Sequence, residues 1–359
     1  MIRVLVVDDS ATVRNRLIEI IGTDRELVVV GEARNGREAV ALTASLRPDI
    51  VTLDIVMPDM TGLAATEQIM AHHPTPILIV SASFNRGELF TTYDALAAGA
   101  VDVLDKSGVG DDDWDARFLK ALKLVSKIRV ITHPRGRLGA LGRAPGAITA
   151  SLPVARSSGL DAFRERRVEV IAIGASTGGP SALAEVLRAI PARFAIPILV
   201  VLHIDQAFAI SFADWLGAQT GHDVRVARDG DPVVGQAGRV LFAPPGHHVE
   251  VVHGSIRLTN APPRHHCRPS IDVLFESLAA GSGERTAACV LTGMGRDGAS
   301  GLLAIRVAGG VTIAQDEATS VIYGMPKEAV INGGAERELP LGDIGPALAA
   351  LRSTREIKR

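Results

Sequence analysis

Ser176, His203 and Asp297 are residue types that together can perform nucleophilic catalysis, and each stands where an apolar run gives way to a turn. Ser176 lies in Gly174-Ala-Ser176-Thr-Gly178-Gly179-Pro180, between the run Val168-Glu-Val-Ile-Ala-Ile-Gly and the helix-like Ser181-Ala-Leu-Ala-Glu-Val-Leu-Arg. A strand, a glycine turn and a helix start push a serine hydroxyl out at the carboxyl edge of a sheet. The backbone N–H groups that follow lie at a helix N-terminus, where they can receive developing negative charge. A dinucleotide-binding turn is the other reading of these residues. Ser176, however, takes the place of its middle glycine, and the next apolar run, Ala195-Ile-Pro-Ile-Leu-Val-Val-Leu, ends in His203 rather than in an acid that could bind a ribose.

A serine hydroxyl needs a base, because it is almost wholly protonated at neutral pH. His203 closes the strand expected beside the first, so its ring emerges at the same sheet edge; His72-His73 and His247-His248 sit in polar or proline-flanked stretches that read as loops. Asp297, in the glycine turn Leu291-Thr-Gly-Met-Gly-Arg-Asp297-Gly after the strand that begins at Ala287, is the group that orients the imidazole. The order Ser, His, Asp differs from the Ser, Asp, His order of the α/β-hydrolases, so the match of Gly174-x-Ser176-x-Gly178 to their G-x-S-x-G turn does not imply that fold.

A second chemistry occupies the first third of the chain. Ile2-Arg-Val-Leu-Val-Val-Asp8-Asp9 ends in two carboxylates and Asp49-Ile-Val-Thr-Leu-Asp54 in one, while Ile77-Leu-Ile-Val-Ser81 and Val101-Asp-Val-Leu-Asp-Lys106 end in a hydroxyl and an ammonium. Carboxylates gathered at one edge repel unless a hard cation such as Mg²⁺ sits among them. The set makes a phosphoryl-accepting aspartate site in which Asp54 attacks and the others neutralise the transferred group.

The elements that must position these residues alternate strand and helix. The predicted fold class is α/β: a flavodoxin-like domain over 1–122, a flexible basic linker rich in Gly, Pro, Ala, Ser and Arg over 123–166, and a Rossmann-like doubly wound parallel sheet over 167–355. Arg239-Val-Leu-Phe-Ala, His248-Val-Glu-Val-Val and Ser255-Ile-Arg-Leu-Thr read as hairpin-like strands inserted in the second domain.

These motifs carry a family resemblance. Residues 1–122 resemble a response-regulator receiver, with Asp8 and Asp9 as its acidic pair, Asp54 as phosphoacceptor, Ser81 as its Ser/Thr and Lys106 as its lysine. Residues 167–355 resemble the catalytic domain of the chemotaxis protein-glutamate methylesterases, through the Gly174–Pro180 turn, Arg268-Pro-Ser-Ile-Asp-Val-Leu-Phe275, Leu291–Ala299 and Tyr323-Gly-Met-Pro-Lys-Glu-Ala329. The resemblance implies a Ser176–His203–Asp297 triad and an oxyanion hole built on backbone near Thr177 and Met294. It also implies Mg²⁺ held by Asp9 and Asp54, and no cofactor at the esterase site. The implied activity is a phosphorylation-activated hydrolase that demethylates glutamyl γ-methyl esters on the cytoplasmic helices of methyl-accepting chemoreceptors and deamidates their glutamines, with a chemosensory histidine kinase as phosphodonor. Two alternatives stay open: a receptor-binding module that has lost hydrolysis, and an esterase of a non-flagellar pathway with another substrate. The family usually reads Gln-His-Met at the base, where this chain reads Leu202-His203-Ile204.

Composition agrees with this reading. A net charge of −2 over 359 residues argues against nucleic-acid binding. No run approaches the ~20 apolar residues of a membrane span, and the expected location is cytoplasmic. His265-His266-Cys267 offers metal-ligand types, but consecutive residues rarely point at one ion.

Overall fold

The computed structural model describes residues 1–82, 86–128, 130 and 161–354. The chain divides into two compact units, Met1–Thr149 and Ala150–Arg359. In the first, β1 (Ile2–Val7), β2 (Leu27–Ala33), β3 (Ile50–Leu53), β4 (Ile77–Ser81) and β5 (Asp102–Asp105) form a parallel sheet in the order β2-β1-β3-β4-β5. Ile50–Leu53 and Ile77–Ser81 are buried at every position, as expected of parallel strands covered by helices on both faces. The helix Asp112–Val125 presents Trp114, Phe118, Leu122 and Val125 to this core, a spacing that keeps one helical face inward. Its last buried residue lies beyond position 122. The middle of the expected linker, 131–160, lies outside the described residues.

The described part of the second unit opens with a short helix, Asp161–Arg164, whose Phe163 is buried, and then β6 (Arg167–Val168). A seven-stranded parallel sheet follows. Its strands are β7 (Val170–Ala175), β8 (Ile198–Leu202), β9 (Asp223–Val226), β10 (Arg239–Phe242), β13 (Thr286–Val290), β14 (Val311–Gln315) and β15 (Arg337–Leu339), in the order β15-β14-β13-β7-β8-β10-β9. A separate antiparallel hairpin pairs β11 (His248–Val252) with β12 (Ser255–Thr259), and β16 (Arg352–Ser353) pairs with β6. Arg239–Phe242 is therefore no part of the hairpin: it pairs in parallel with β8 and buries Val240, Leu241 and Phe242, because a short apolar run carries no sign of which partner it meets. Among the described residues no helix is long and apolar enough to cross a membrane.

The chain enters this sheet at β7, winds outward through β8, and returns to β13 on the other side of β7. Strand ends diverge at such a reversal, and the crevice outside their carboxyl ends is where open α/β sheets bind ligands. Val170 and Ala172 pack against Ile271, Leu274 and Phe275, which leaves Ile171 and Ile173 buried on the opposite face. Gly174 makes the close approach of the helix Ile271–Ser282 possible: a Cβ there would stand 2.4 Å from Cγ2 of Ile271. Gly174→Ala should destabilise the second unit by about 1–3 kcal/mol through overpacking, lowering its melting temperature by several degrees. Calorimetry of the full chain checks this, with the transition of the first unit unmoved.

Candidate functional site

Ser176, His203 and Asp297 sit at the carboxyl ends of three neighbouring strands in the order β13-β7-β8. Ala175 pairs with Leu202, so Ser176 and His203 are the next residues along adjacent strands, and the His203 N–H donates to the Ala175 carbonyl at 2.9 Å. Gly178 turns the chain with φ +77°, a conformation that suits glycine, and Pro180 opens the helix Gly179–Arg188. Ser176 rests on the turn after β13. Its N–H donates to the Thr292 carbonyl at 3.0 Å, and a Cβ at Gly293 would stand 2.7 Å from its own.

The turn that carries Met294 is fixed from the opposite side. The N–H groups of Ile322 and Met325 donate to Thr292 Oγ1 and the Gly293 carbonyl, at 2.9 and 2.8 Å. Oε1 of buried Gln315 accepts from Thr292 N–H at 2.8 Å. Thr292 Oγ1 in turn donates to the Thr177 carbonyl at 3.0 Å, which ties the two turns together. Met294 itself is exposed, and among the described residues no hydrogen bond takes up its N–H.

Asp297 is buried at the N-terminus of the helix Ile271–Ser282. Oδ1 accepts from Ser270 Oγ at 2.7 Å and from Asp272 N–H at 3.0 Å, and Oδ2 accepts from Ile271 N–H at 2.8 Å. Oδ2 also lies 3.0 Å from Nε2 of His203, although the ring N–H is turned off the line to that oxygen, so the contact is more an ion pair than a linear hydrogen bond. Burial alone would raise the Asp297 carboxyl, but His203 and these donors outweigh it and hold it below the usual carboxylate range. Burial alone would lower the His203 imidazole. Asp297, together with Cys267, instead raises it to about 9.

Residues that sequence reading did not place complete the site. Cys267 Sγ lies 3.7 Å from Nδ1 of His203. The turn that presents it is closed by reciprocal backbone hydrogen bonds between Arg264 and Cys267, with His265 and His266 at φ +51° and +63°. The His265 ring faces Asp272 and Arg296, while its carbonyl accepts from Cys267 Sγ at 3.4 Å. His248, read both within a loop and as the start of a strand, is a buried residue opening β11, and its Nδ1 accepts the Ser270 N–H at 3.1 Å. Ser270 was recognisable as a helix cap, a polar residue before an apolar run, but its hold on Asp297 was not.

In the first unit, Lys106 Nζ stands 2.9 Å from Asp8 Oδ2 and 2.8 Å from Asp54 Oδ2. Burial raises the Asp54 carboxyl despite Lys106, whereas Lys106, shared by two carboxylates, is held above its ordinary value against its own burial. Carboxylate oxygens of Asp8, Asp9 and Asp54 lie within 4.8 Å of one another, an all-oxygen set that fits a hard cation such as Mg²⁺. Among the described residues the buried Ser81 hydroxyl has no hydrogen-bond partner.

The family model for CheB methylesterase matches residues 171–348, and that for the response regulator receiver domain matches residues 4–112. A protein-glutamate methylesterase/protein-glutamine glutaminase of Anaeromyxobacter dehalogenans is 43% identical over 352 residues, spanning 98% of this chain and 97% of its own length. The chain belongs to this methylesterase family. A family member from Pseudomonas aeruginosa is 41% identical over 97% of this chain and 96% of its own length. The crystal structure of the Thermotoga maritima CheB methylesterase catalytic domain is 33% identical, with a TM-score of 0.48, and covers 51% of this chain and 97% of its own.

His203 provides the direct check on the electrostatics of this methylesterase-family site. Its value is raised from 6.5 to about 9, so the Asp297 pair stabilises the folded state fully below about pH 6.5 and loses that contribution as pH rises through 9. NMR titration of the ring should place its midpoint near 9. In Asp297→Asn the midpoint should fall by at least about one unit.

Proposed function

We propose that the chain is a phosphorylation-regulated carboxyl-ester hydrolase. Its substrates are glutamyl γ-methyl esters on the cytoplasmic helices of methyl-accepting chemoreceptors, from which it releases methanol, and receptor glutamines, from which it releases ammonia. The observation that carries this reading is the His203–Asp297 pair at the strand end beside Ser176, in a chain matched over nearly its full length by named methylesterases.

In this reading one ring nitrogen carries the proton transfer. Nε2 faces Asp297, so the lone pair left to accept the Ser176 proton is on Nδ1. As Ser176 Oγ bonds to the ester carbon, its proton passes to Nδ1 and the carbonyl oxygen becomes an oxyanion. Backbone N–H groups of Met294 and Thr177 receive that charge, and the open Met294 N–H supports this placement. Collapse breaks the ester C–O bond, and Nδ1 returns the proton to the departing methoxide. Water then attacks the acyl-serine with Nδ1 as base, leaving glutamate and free Ser176. Asp297 stays ionised throughout and stabilises the imidazolium.

In the receiver, Asp54 accepts a phosphoryl group from a chemosensory histidine kinase. Asp8, Asp9 and Asp54 would hold Mg²⁺, which would neutralise the carboxylates and the incoming phosphoryl oxygens. Lys106 and Ser81 lie at the same edge to meet those oxygens.

Ser176→Ala should lower methanol release from methylated receptor membranes by about 10⁴-fold or more in kcat while the protein stays folded. Retention of more than about a tenth of wild-type activity would contradict the nucleophile assignment. Wild-type kcat/KM should climb with pH as His203 loses its proton, with a half-maximum near 9; a profile flat from pH 6 to about 9 would contradict His203 as the base. Asp54→Asn should keep basal release and lose its stimulation by acetyl phosphate, since an amide accepts no phosphoryl group.

A further inference from the structure

The nitrogen that the hydrolysis needs is already faced by a thiol. Cys267 Sγ stands 3.7 Å from Nδ1 of His203, while Nε2 faces the Asp297 carboxylate. A tetrahedral Zn²⁺, with Zn–N of about 2.0–2.1 Å and Zn–S of about 2.3 Å, sets its nitrogen and sulfur about 3.6 Å apart. The 3.7 Å spacing is therefore that of two ligands sharing one ion. A carboxylate on the other ring nitrogen is the partner that metal-bound histidines commonly have, fixing the tautomer and raising ligand basicity. The three residues lie close together, their potential ligand atoms within 4.8 Å of one another, with His203 and Cys267 only partly buried and Asp297 on the far ring nitrogen.

We propose that His203 Nδ1 and Cys267 Sγ ligate a thiophilic divalent cation of the Zn²⁺ class, with Asp297 orienting the ring from Nε2, and that its occupation inhibits hydrolysis by taking the Nδ1 lone pair that Ser176 requires. The inhibitory role rests on the esterase reading above; the metal site does not. The donor set decides the class of ion. A thiolate and an imidazole favour zinc and its soft neighbours over magnesium or calcium. The neighbouring group of His265, Asp272 and Asp297 is a poorer site for such an ion, because it offers no sulfur and its Asp272 already faces the Arg264 guanidinium. Binding releases the thiol proton, and any proton on Nδ1, to solvent, while the Nε2 proton stays toward Asp297; no electron moves and chelation reverses it. With solvent and the Ser176 hydroxyl left to fill the two remaining positions, the ion would be exchangeable, unlike a closed structural zinc.

The test uses the full-length protein in excess Mg²⁺, which occupies the receiver carboxylates. Titrated with Co²⁺ as an optical stand-in, the protein should develop a thiolate-to-cobalt charge-transfer band. Cys267→Ala and Cys267→Ser should both lose the band. Cys289, the other cysteine, is fully buried in β13 and cannot supply it. Zn²⁺ in slight excess should suppress wild-type methanol release by about tenfold or more, EDTA should restore it, and each variant should need on the order of tenfold more zinc for the same inhibition relative to its own rate in EDTA. A band that persists in Cys267→Ala, no band at all, or a wild type active in EDTA and indifferent to Zn²⁺ would overturn the proposal. A Cys267-dependent band in a protein that releases no methanol even in EDTA would uphold the metal site and contradict the esterase reading.

Discussion

A carboxylate buried at a helix N-terminus organises the second unit. Asp297 takes the Ser270 hydroxyl and the first two N–H groups of the helix Ile271–Ser282, donors that have no partner inside that helix. The aligned peptide dipoles favour a negative charge there, and the full set of donors makes up for burying it. The rest of the site follows from that anchorage. Gly174 must lack a Cβ so that Ile271 can press on β7, His248 holds the cap residue from behind, and the one carboxylate edge left over fixes His203.

The two units solve related problems with opposite charge arrangements. Both gather ionisable residues at the carboxyl ends of parallel strands beside the point where strand order reverses, between β1 and β3 in one sheet and between β7 and β13 in the other. In the receiver the carboxylates are in excess, and Lys106 stands between Asp8 and Asp54. Such a site favours cations and whatever anion they carry. In the second unit the single carboxylate is satisfied by the backbone, so its field acts on one imidazole and keeps that ring charged until alkaline pH. The receiver is thus built to accept a phosphoryl group, and the second unit to hold one proton and release it.

Residues at strand ends were legible in the sequence because apolar runs stop abruptly there and glycines mark the turns. Ser176, His203 and Asp297 stand at such junctions, and the strand pairing sets the backbones of Ser176 and His203 side by side, with Asp297 in the turn after the neighbouring strand β13. What escaped sequence reading depends on contacts between distant segments. Cys267 meets His203 across 64 positions and Ser270 meets Asp297 across 27, and in each case the decisive fact is how far a loop swings rather than which residues compose it. The ring nitrogen that faces Asp297 is likewise fixed only by packing. Arg239–Phe242 was misplaced for a plainer reason: four residues of apolar pattern cannot distinguish a parallel inner strand from a hairpin arm.

Covalent trapping tests the central claim most directly, namely that the helix-anchored Asp297 and the imidazole it orients make Ser176 the nucleophile. The full-length protein would be treated with a small alkyl fluorophosphonate, digested, and its adducts mapped by mass spectrometry. A single adduct on Ser176, greatly slowed in both His203→Gln and Asp297→Asn, is the result this account predicts. An adduct on Cys267 or another residue in place of Ser176, or labelling of Ser176 at the same rate in both variants, would contradict it.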